Sequence, residues 1–385
     1  AALLVILVTR LVVGKYYGPT AFDAWGWRIP FLLSAGLLAV SVFMRLKLSE
    51  SPAFAAMKAE GGGSKAPYAE AFGQWRNLKV VLLALTAMMF AQGAVWYTTF
   101  FYAQTFMEKF LKVDPAVINT LMMGATAVSA VGYVLFGWLS DKVGRKPVML
   151  FGMSLMLAAY FPGFHLLSRT LNPALAEAEI HAPAVVIADP AECSLQFDPV
   201  GKASFLSSCD IAKSVLANAG VSYRNEAGPA GRPAIVRVGP SAIASADARG
   251  LPPAEIKTLK AGIEARIKDG LKQAGYPAKA DPARMNLAGA FGVLLVFVVA
   301  ATALFGPIAA CLVELFPTRI RYTALSLPYH IGTGWVGGFV PFTAFAIVAS
   351  VGNIYSGLWY PFAFTAISVL VTLLLLPETR HRSLD

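Results

Sequence analysis

The sequence predicts an all-α membrane protein that carries one polar α+β insert. Of its 385 residues, 57% are hydrophobic and only 14% are charged, and the mean hydropathy is +0.60. A soluble protein has about a quarter of its residues charged. Long apolar segments alternate with short charged loops, whereas residues 169–285 are polar. These observations indicate a bundle of membrane-spanning helices with one domain outside the bilayer.

Eight apolar segments carry this prediction. They lie at 1–14, 28–46, 79–105, 114–139, 147–167, 286–315, 322–348 and 356–376. Because about 20 apolar residues are needed to cross a bilayer, the first segment is too short, and we interpret it as the end of a helix that begins before this sequence does. The first residues lack the basic start and cleavage site of a signal peptide.

The charges of the loops predict how the chain is oriented across the membrane. The net charge is +10, but the basic residues flank the apolar segments, so we expect no nucleic-acid partner. Loops on one side hold Arg45, Lys47, Lys58, Lys65, Arg76, Lys79, Lys142, Arg145, Lys146, Arg319, Arg321, Arg380 and Arg382. Short loops on the other side hold Lys15, Arg28, Lys109 and Lys112. The positive-inside rule then places the C-terminus in the cytosol and the insert in the periplasm of a multi-pass inner-membrane protein.

Composition divides the chain into five parts. Residues 55–78 contain the run Gly-Gly-Gly-Ser at 61–64 and are expected to be a flexible cytosolic linker. Helices precede it in 1–54 and follow it in 79–168, and the insert of 169–285 separates these from the last helices in 286–385.

A compact charged loop joins the segments at 114–139 and 147–167. The loop contains Gly137, Leu139, Asp141, Gly144, Arg145 and Lys146. This run resembles the G-x-L-x-D-x-x-G-R-K/R loop of major facilitator superfamily transporters. Independently of this resemblance, three cations in seven residues mark the cytosolic side.

Further motifs resemble the metabolite:proton symporter family within that superfamily. They read W-G-W-R-I-P-F-L-L-S from Trp25, R-L-x-x-S-E-S-P-x-F from Arg45, E-L-F-P-T-R-I-R-Y-T from Glu314 and P-E-T-R from Pro377. The resemblance implies the major facilitator helical bundle, with two halves of six helices, of which this chain would hold the last eight helices. It also implies proton-coupled uptake of organic acids or zwitterionic osmolytes by alternating access.

Polar side chains within the segment at 79–105 are candidates for substrate binding, because polar groups are costly inside a membrane. The candidates are Gln92, Trp96, Tyr97, Thr99 and Tyr102. Gln92, Trp96 and Thr99 are spaced to share one helical face. Hydrogen bonding between helices is an equally good interpretation.

His330 is the candidate for proton coupling, because a histidine inside an apolar, glycine-rich segment can change charge near neutral pH. A hydrogen-bonded pair with Tyr329 is the alternative. Conformational ion pairs are predicted at the cytosolic side, where Glu314 precedes Arg319 and Arg321. We expect these three, together with Gly137, Asp141, Gly144, Arg145 and Lys146, to form a cytosolic gate.

The insert is predicted to be a small α+β domain. Residues 185–187 and 234–238 favour strands, and 253–275 favour a helix. Its apolar face consists of Ile256, Leu259, Ile263, Ile267 and Leu271. Cys193 and Cys209 are expected to form a disulfide in an oxidising periplasm, with two buried thiols as the alternative.

No motif indicates catalysis, a metal, a cofactor or a nucleotide site, so the sequence does not predict an enzyme. The expected partners are a small-molecule substrate, protons and the lipid bilayer, and we expect a monomer. Two alternatives remain open: a proton-driven effluxer with the same fold, and a membrane-anchored periplasmic sensor.

Overall fold

A computed structural model describes residues 2–18, 20–48, 52–198 and 203–382. The described chain forms two compact units that divide between Lys65 and Ala66, inside the predicted linker. In the first unit, α1 spans Ala2–Tyr17, α2 spans Arg28–Lys47 and α3 spans Pro52–Ala59. Val13, Ala21 and Phe22 form a small core there, against which Ile29 packs.

The second unit contains α4 (Pro67–Gly73) and six long helices. The first three are α5 (Trp75–Lys109), α6 (Pro115–Val143) and α7 (Arg145–Leu171). The insert then contributes α8 (Pro173–His181), β1 (Ala184–Ala188), α9 (Ser208–Ala219), β2 (Tyr223–Ala227), β3 (Ile235–Val238), β4 (Ser241–Ala244) and α10 (Pro253–Gln273). The last three long helices are α11 (Leu287–Leu315), α12 (Arg321–Val351) and α13 (Ser356–Leu375).

Within the described residues, seven helices are long and apolar enough to cross a membrane: these six and the helix Ala24–Lys47 that contains α2. They coincide with the predicted segments to within a few residues, so the helical membrane bundle is confirmed. The segment predicted at 1–14 is α1, whose 16 residues are not among the seven.

Small residues let the helices of the second unit approach closely. A Cβ at Gly152 of α7 would lie 2.6 Å from the Ala300 carbonyl oxygen of α11, and one at Gly132 of α6 would lie 2.7 Å from the Thr302 hydroxyl. Because lipid tails are as apolar as leucine, contact between membrane helices depends on such close approach. These glycines place α11 between α6 and α7.

The insert is an α+β domain, as predicted. Its sheet has the order β2-β1-β3-β4, with β1 parallel to β2 and all other pairs antiparallel. Strands β1 and β3 and helix α10 occupy the predicted positions, and Ile263, Ile267 and Leu271 are buried. Strand β2 gave no sequence signal, because only Tyr223 of its five residues is buried. The predicted disulfide joins Cys193 to Cys209.

The insert lies against one end of the helical bundle. Asn172 Nδ2 donates to the Leu111 carbonyl oxygen at 2.9 Å, and Lys112 Nζ donates to the Asn218 carbonyl oxygen at 2.5 Å. A Cβ at Gly220 would lie 2.2 Å from the Phe110 carbonyl oxygen, so only glycine fits that contact. One continuous apolar core runs from the bundle into the insert.

Candidate functional site

A cluster of charged side chains closes the end of the bundle opposite to the insert. Arg145, at the start of α7, donates from Nη1 to Ser140 Oγ at 2.8 Å and to Asp141, and from Nη2 to Glu314 Oε1 at 3.1 Å. The side chains of Arg145 and Glu314 are each only 11% exposed. Glu314 also accepts from Thr379 Oγ1 at 2.5 Å. One guanidinium therefore connects α6, α7 and α11, and Glu314 extends the connection to the C-terminal tail.

Glu378 in that tail caps the start of α7. Its Oε1 accepts from the Arg145 backbone N–H at 2.9 Å, and its Oε2 accepts from the Lys146 N–H at 3.1 Å. The first N–H groups of a helix have no partner within it and carry a partial positive charge. Burial opposes ionisation of Glu378, but hydrogen bonds from Arg145, Arg380, Lys146 and Thr379 outweigh it and hold its pKa below the ordinary value.

The two predicted glycines permit this arrangement. Gly144 has φ +110°, and a Cβ there would lie 2.5 Å from Glu378 Oε2. The Gly137 backbone N lies so near α11 that a Cβ on Gly306 would be 2.9 Å from it. Lys146 Nζ donates to the Leu373 carbonyl oxygen at 3.0 Å.

The two arginines that follow Glu314 have other partners. Arg319 pairs with Glu70 of α4 at 2.5 Å, and Arg321 Nε donates to the Phe316 carbonyl oxygen at 3.0 Å. The predicted gate residues therefore lie at one end of the bundle, but only Asp141, Arg145 and Glu314 form one ion-pair cluster. Glu70 and the capping role of Glu378 were not predicted, although Glu378 belongs to the P-E-T-R motif.

Two of the candidate substrate residues of α5, Gln92 and Tyr97, lie where this helix meets α12. Gln92 is buried, and its Oε1 accepts from Thr333 Oγ1 at 2.9 Å. A Cβ at Gly93 would lie 2.0 Å from the Gly332 carbonyl oxygen, so the two backbones are in direct contact. Both helices widen into π-helical turns nearby, at Thr98–Tyr102 and Ile331–Gly337. Such turns are frequent at functional sites.

Trp96 belongs to an aromatic cluster shared by three helices, whose members are half-buried except for the exposed Phe101. Its Nε1 donates to the Tyr133 hydroxyl of α6 at 3.2 Å, and its ring centroid lies 5.5 Å from that of Phe100 and 5.6 Å from that of Phe101. Tyr133 in turn makes an edge contact at 5.5 Å with Phe305 of α11. We call Trp96, Phe100, Phe101, Tyr133 and Phe305 the aromatic cluster.

The remaining candidates, Thr99, Tyr102, Tyr97 and His330, lie outside the aromatic cluster. The hydroxyls of Thr99 and Tyr102 are buried and have no hydrogen-bond partner among the residues that the structure describes. Tyr97 lies against Gly337, where a Cβ would come within 2.4 Å of its ring. His330 is exposed, and its Nδ1 lies 2.7 Å from the Ser326 carbonyl oxygen. The structure brings Gln92, Gly93 and Tyr97 to α12, and Trp96 to α6.

Two family models match this chain, on either side of residues 177–273. The model described as Major Facilitator Superfamily matches residues 11–176, and the model described as Sugar (and other) transporter matches residues 274–385. Both matched regions are therefore similar to transporters, and the first is similar to the major facilitator superfamily. Most of the insert lies between the two matched regions and is matched by neither model.

Curated transporters resemble the chain over part of its length. The ectoine/proline transporter ProP of Corynebacterium glutamicum is 29% identical over 167 residues, which are 42% of this chain and 33% of that protein. The alpha-ketoglutarate permease of Escherichia coli is 34% identical over 166 residues, which are 42% of this chain and 34% of the permease. The chain spans about a third of the length of these relatives. No solved structure matches it.

Proposed function

We propose that this chain is part of a proton-coupled symporter of the metabolite:proton symporter family. It would take up a small organic acid or zwitterionic osmolyte across the inner membrane by alternating access. The observation that carries the proposal is the match to transporter family models on both sides of the insert. The names of the relatives, an ectoine/proline transporter and an alpha-ketoglutarate permease, support this substrate class.

The substrate would contact the aromatic cluster and the polar groups near it. Aromatic faces attract quaternary ammonium groups, and Trp96 and Tyr133 offer such faces in a half-buried position. The buried amide of Gln92 lies on the same helix, as do the hydroxyls of Thr99 and Tyr102, which have no hydrogen-bond partner in the described part of the chain. This chemistry favours a betaine-like zwitterion over a strongly charged acid.

The ion-pair cluster around Arg145 would serve as the gate on the cytosolic side. Breaking it exposes two charged groups that are now mostly shielded from water. The cluster therefore stabilises one conformation of the bundle. Binding of the substrate and the proton would have to supply the free energy that separates this conformation from the other one. We propose that His330 couples transport to protons. We also propose that the insert lies in the periplasm, that the C-terminus lies in the cytosol and that the protein is a monomer.

The test is uptake of labelled betaine, proline, 2-oxoglutarate and citrate by cells that express the gene encoding this chain, with and without a protonophore. We expect betaine or proline uptake that collapses with the proton gradient. Trp96→Leu should reduce this uptake at least about tenfold if the ring contributes a cation–π contact, whereas Trp75→Leu, at an exposed position of α5, should not. Uptake that persists with the protonophore would contradict proton coupling.

Two other functions give different results. An effluxer would show no uptake in cells but would load everted vesicles. A sensor would show no flux in either preparation, and its ligand response would depend on residues 169–285.

A further inference from the structure

The insert contains a cavity where it meets the end of α12. Its volume is about 490 Å³. The apolar part of its wall includes Val186, Ala188 and Leu195, and the polar part includes Ser194, Lys213 and Asn225. The Cys193–Cys209 disulfide ties the segment at Cys193 to α9, the helix that carries Lys213. Two of the segments that line the cavity are thus held together by a covalent bond.

Lys213 is the unusual group in this wall. It is only 7% exposed, and its Nζ donates to the Ser350 carbonyl oxygen at 3.4 Å. Among the residues that the structure describes, no carboxylate lies within ion-pair distance of this nitrogen. Burial lowers the pKa of Lys213, and the charge of Asp210 only partly opposes this. A buried ammonium with one long hydrogen bond retains donors for a ligand.

The neighbouring polar groups are already satisfied. Asp210 Oδ1 and Oδ2 accept from the Ser194 N–H at 2.8 Å and the Ser194 hydroxyl at 2.7 Å. Asn225 Nδ2 donates to the carbonyl oxygens of Ser350 at 3.2 Å and Val351 at 2.9 Å. Glu226 also lines the cavity and pairs with Arg237 at 3.3 Å. The cavity therefore presents one positive charge without a carboxylate partner, with two acids nearby.

We propose that this cavity binds a small monocarboxylate, with its carboxylate on Lys213 and its apolar body against Val186 and Leu195. Asp210 and Glu226 disfavour a second negative charge on the ligand. The site lies in the insert, apart from the aromatic cluster, and does not depend on transport. Because Lys213 also contacts the last turn of α12, the ligand competes with a carbonyl oxygen of that helix for the ammonium.

The test is calorimetric titration of the purified full chain with butyrate, with butyramide and succinate as matched solutes. Butyrate should bind, and both others should bind at least about tenfold more weakly, the effect expected when a charged hydrogen bond is lost or a repelled charge is added. Lys213→Met should weaken butyrate binding by a similar factor. Lys257→Met, at an exposed lysine of α10, should leave it unchanged.

A second measurement covers the case in which Lys213→Met does not fold. Acylation of lysines in the wild-type chain is followed by mass spectrometry, and butyrate should slow the reaction at Lys213 relative to Lys257. Absence of butyrate binding, equal binding by folded Lys213→Met, or unchanged acylation of Lys213 would each overturn the proposal.

Discussion

Among the glycines at the contact between α5 and α12, Gly93 leaves the least room for a Cβ. A Cβ there would meet the Gly332 carbonyl oxygen at 2.0 Å, and backbone cannot move aside as a flexible side chain can. We therefore expect Gly93→Ala to destabilise the chain by about 1–3 kcal/mol, the usual effect of overpacking. Thermal unfolding in detergent measures this change.

Gly334 of α12 is the control, because nothing lies within 4 Å of a Cβ built at that position. Gly334→Ala should leave stability unchanged or raise it by up to about 1 kcal/mol. Equal unfolding temperatures for the two variants would show that the close contact is not maintained in solution.

Glu378 gives the charged end of the bundle a predictable pH dependence. Its folded-state pKa is lowered, so its contribution to stability is present above the unfolded value of about 4.3 and is lost as pH falls through the folded value. Glu378→Gln should unfold more easily than the wild type at pH 7, and the difference should shrink at about pH 3. Glu255→Gln, at an exposed glutamate of α10, serves as the control. A difference that does not change with pH would contradict the capping role.

The disulfide holds the start of α9 against the segment that follows β1. The enclosed loop has about 15 residues, for which the loop-entropy model predicts a stabilisation of about 3 kcal/mol. We expect reduction, or the change of Cys193 and Cys209 to serine, to raise hydrogen exchange in α9 before it does so in α11. Cys311→Ser is the control for loss of a thiol. Alkylation of Cys193 without reductant would refute the bond.

The insert also supplies hydrogen-bond donors to the C-terminal end of α12. The last carbonyl groups of a helix have no partner within it, and the Tyr223 hydroxyl, Lys213 Nζ and Asn225 Nδ2 donate to those at 349–351. Without these donors the last turn of α12 must find water or fray. The insert therefore stabilises a helix that also forms the contact with α5.

Replacing residues 174–284 by a short flexible linker should consequently lower the stability of the protein without abolishing transport. We expect a lower unfolding temperature, because the donors to α12 and the apolar contacts of Phe110 are lost, with measurable uptake retained. Complete loss of uptake by a variant that still reaches the membrane would favour the sensor hypothesis.

The bundle and its insert were predictable because the signals are local. Hydropathy identifies a span such as 286–315 from its own residues, and the apolar repeat from Ile263 to Leu271 identifies α10 in the same way. The charged loop at 137–146 likewise carries its pattern within a few residues.

Only the tertiary structure paired residues that lie far apart in the chain. Gln92 and Thr333 are separated by 241 positions, and Glu378 caps a helix that begins 233 positions earlier. Lys213 meets the end of α12 only because β1, α9 and the disulfide fold together. Composition and periodicity report the environment of one segment. The partner of a buried polar group depends on which segments meet, and that is decided by packing of the whole chain.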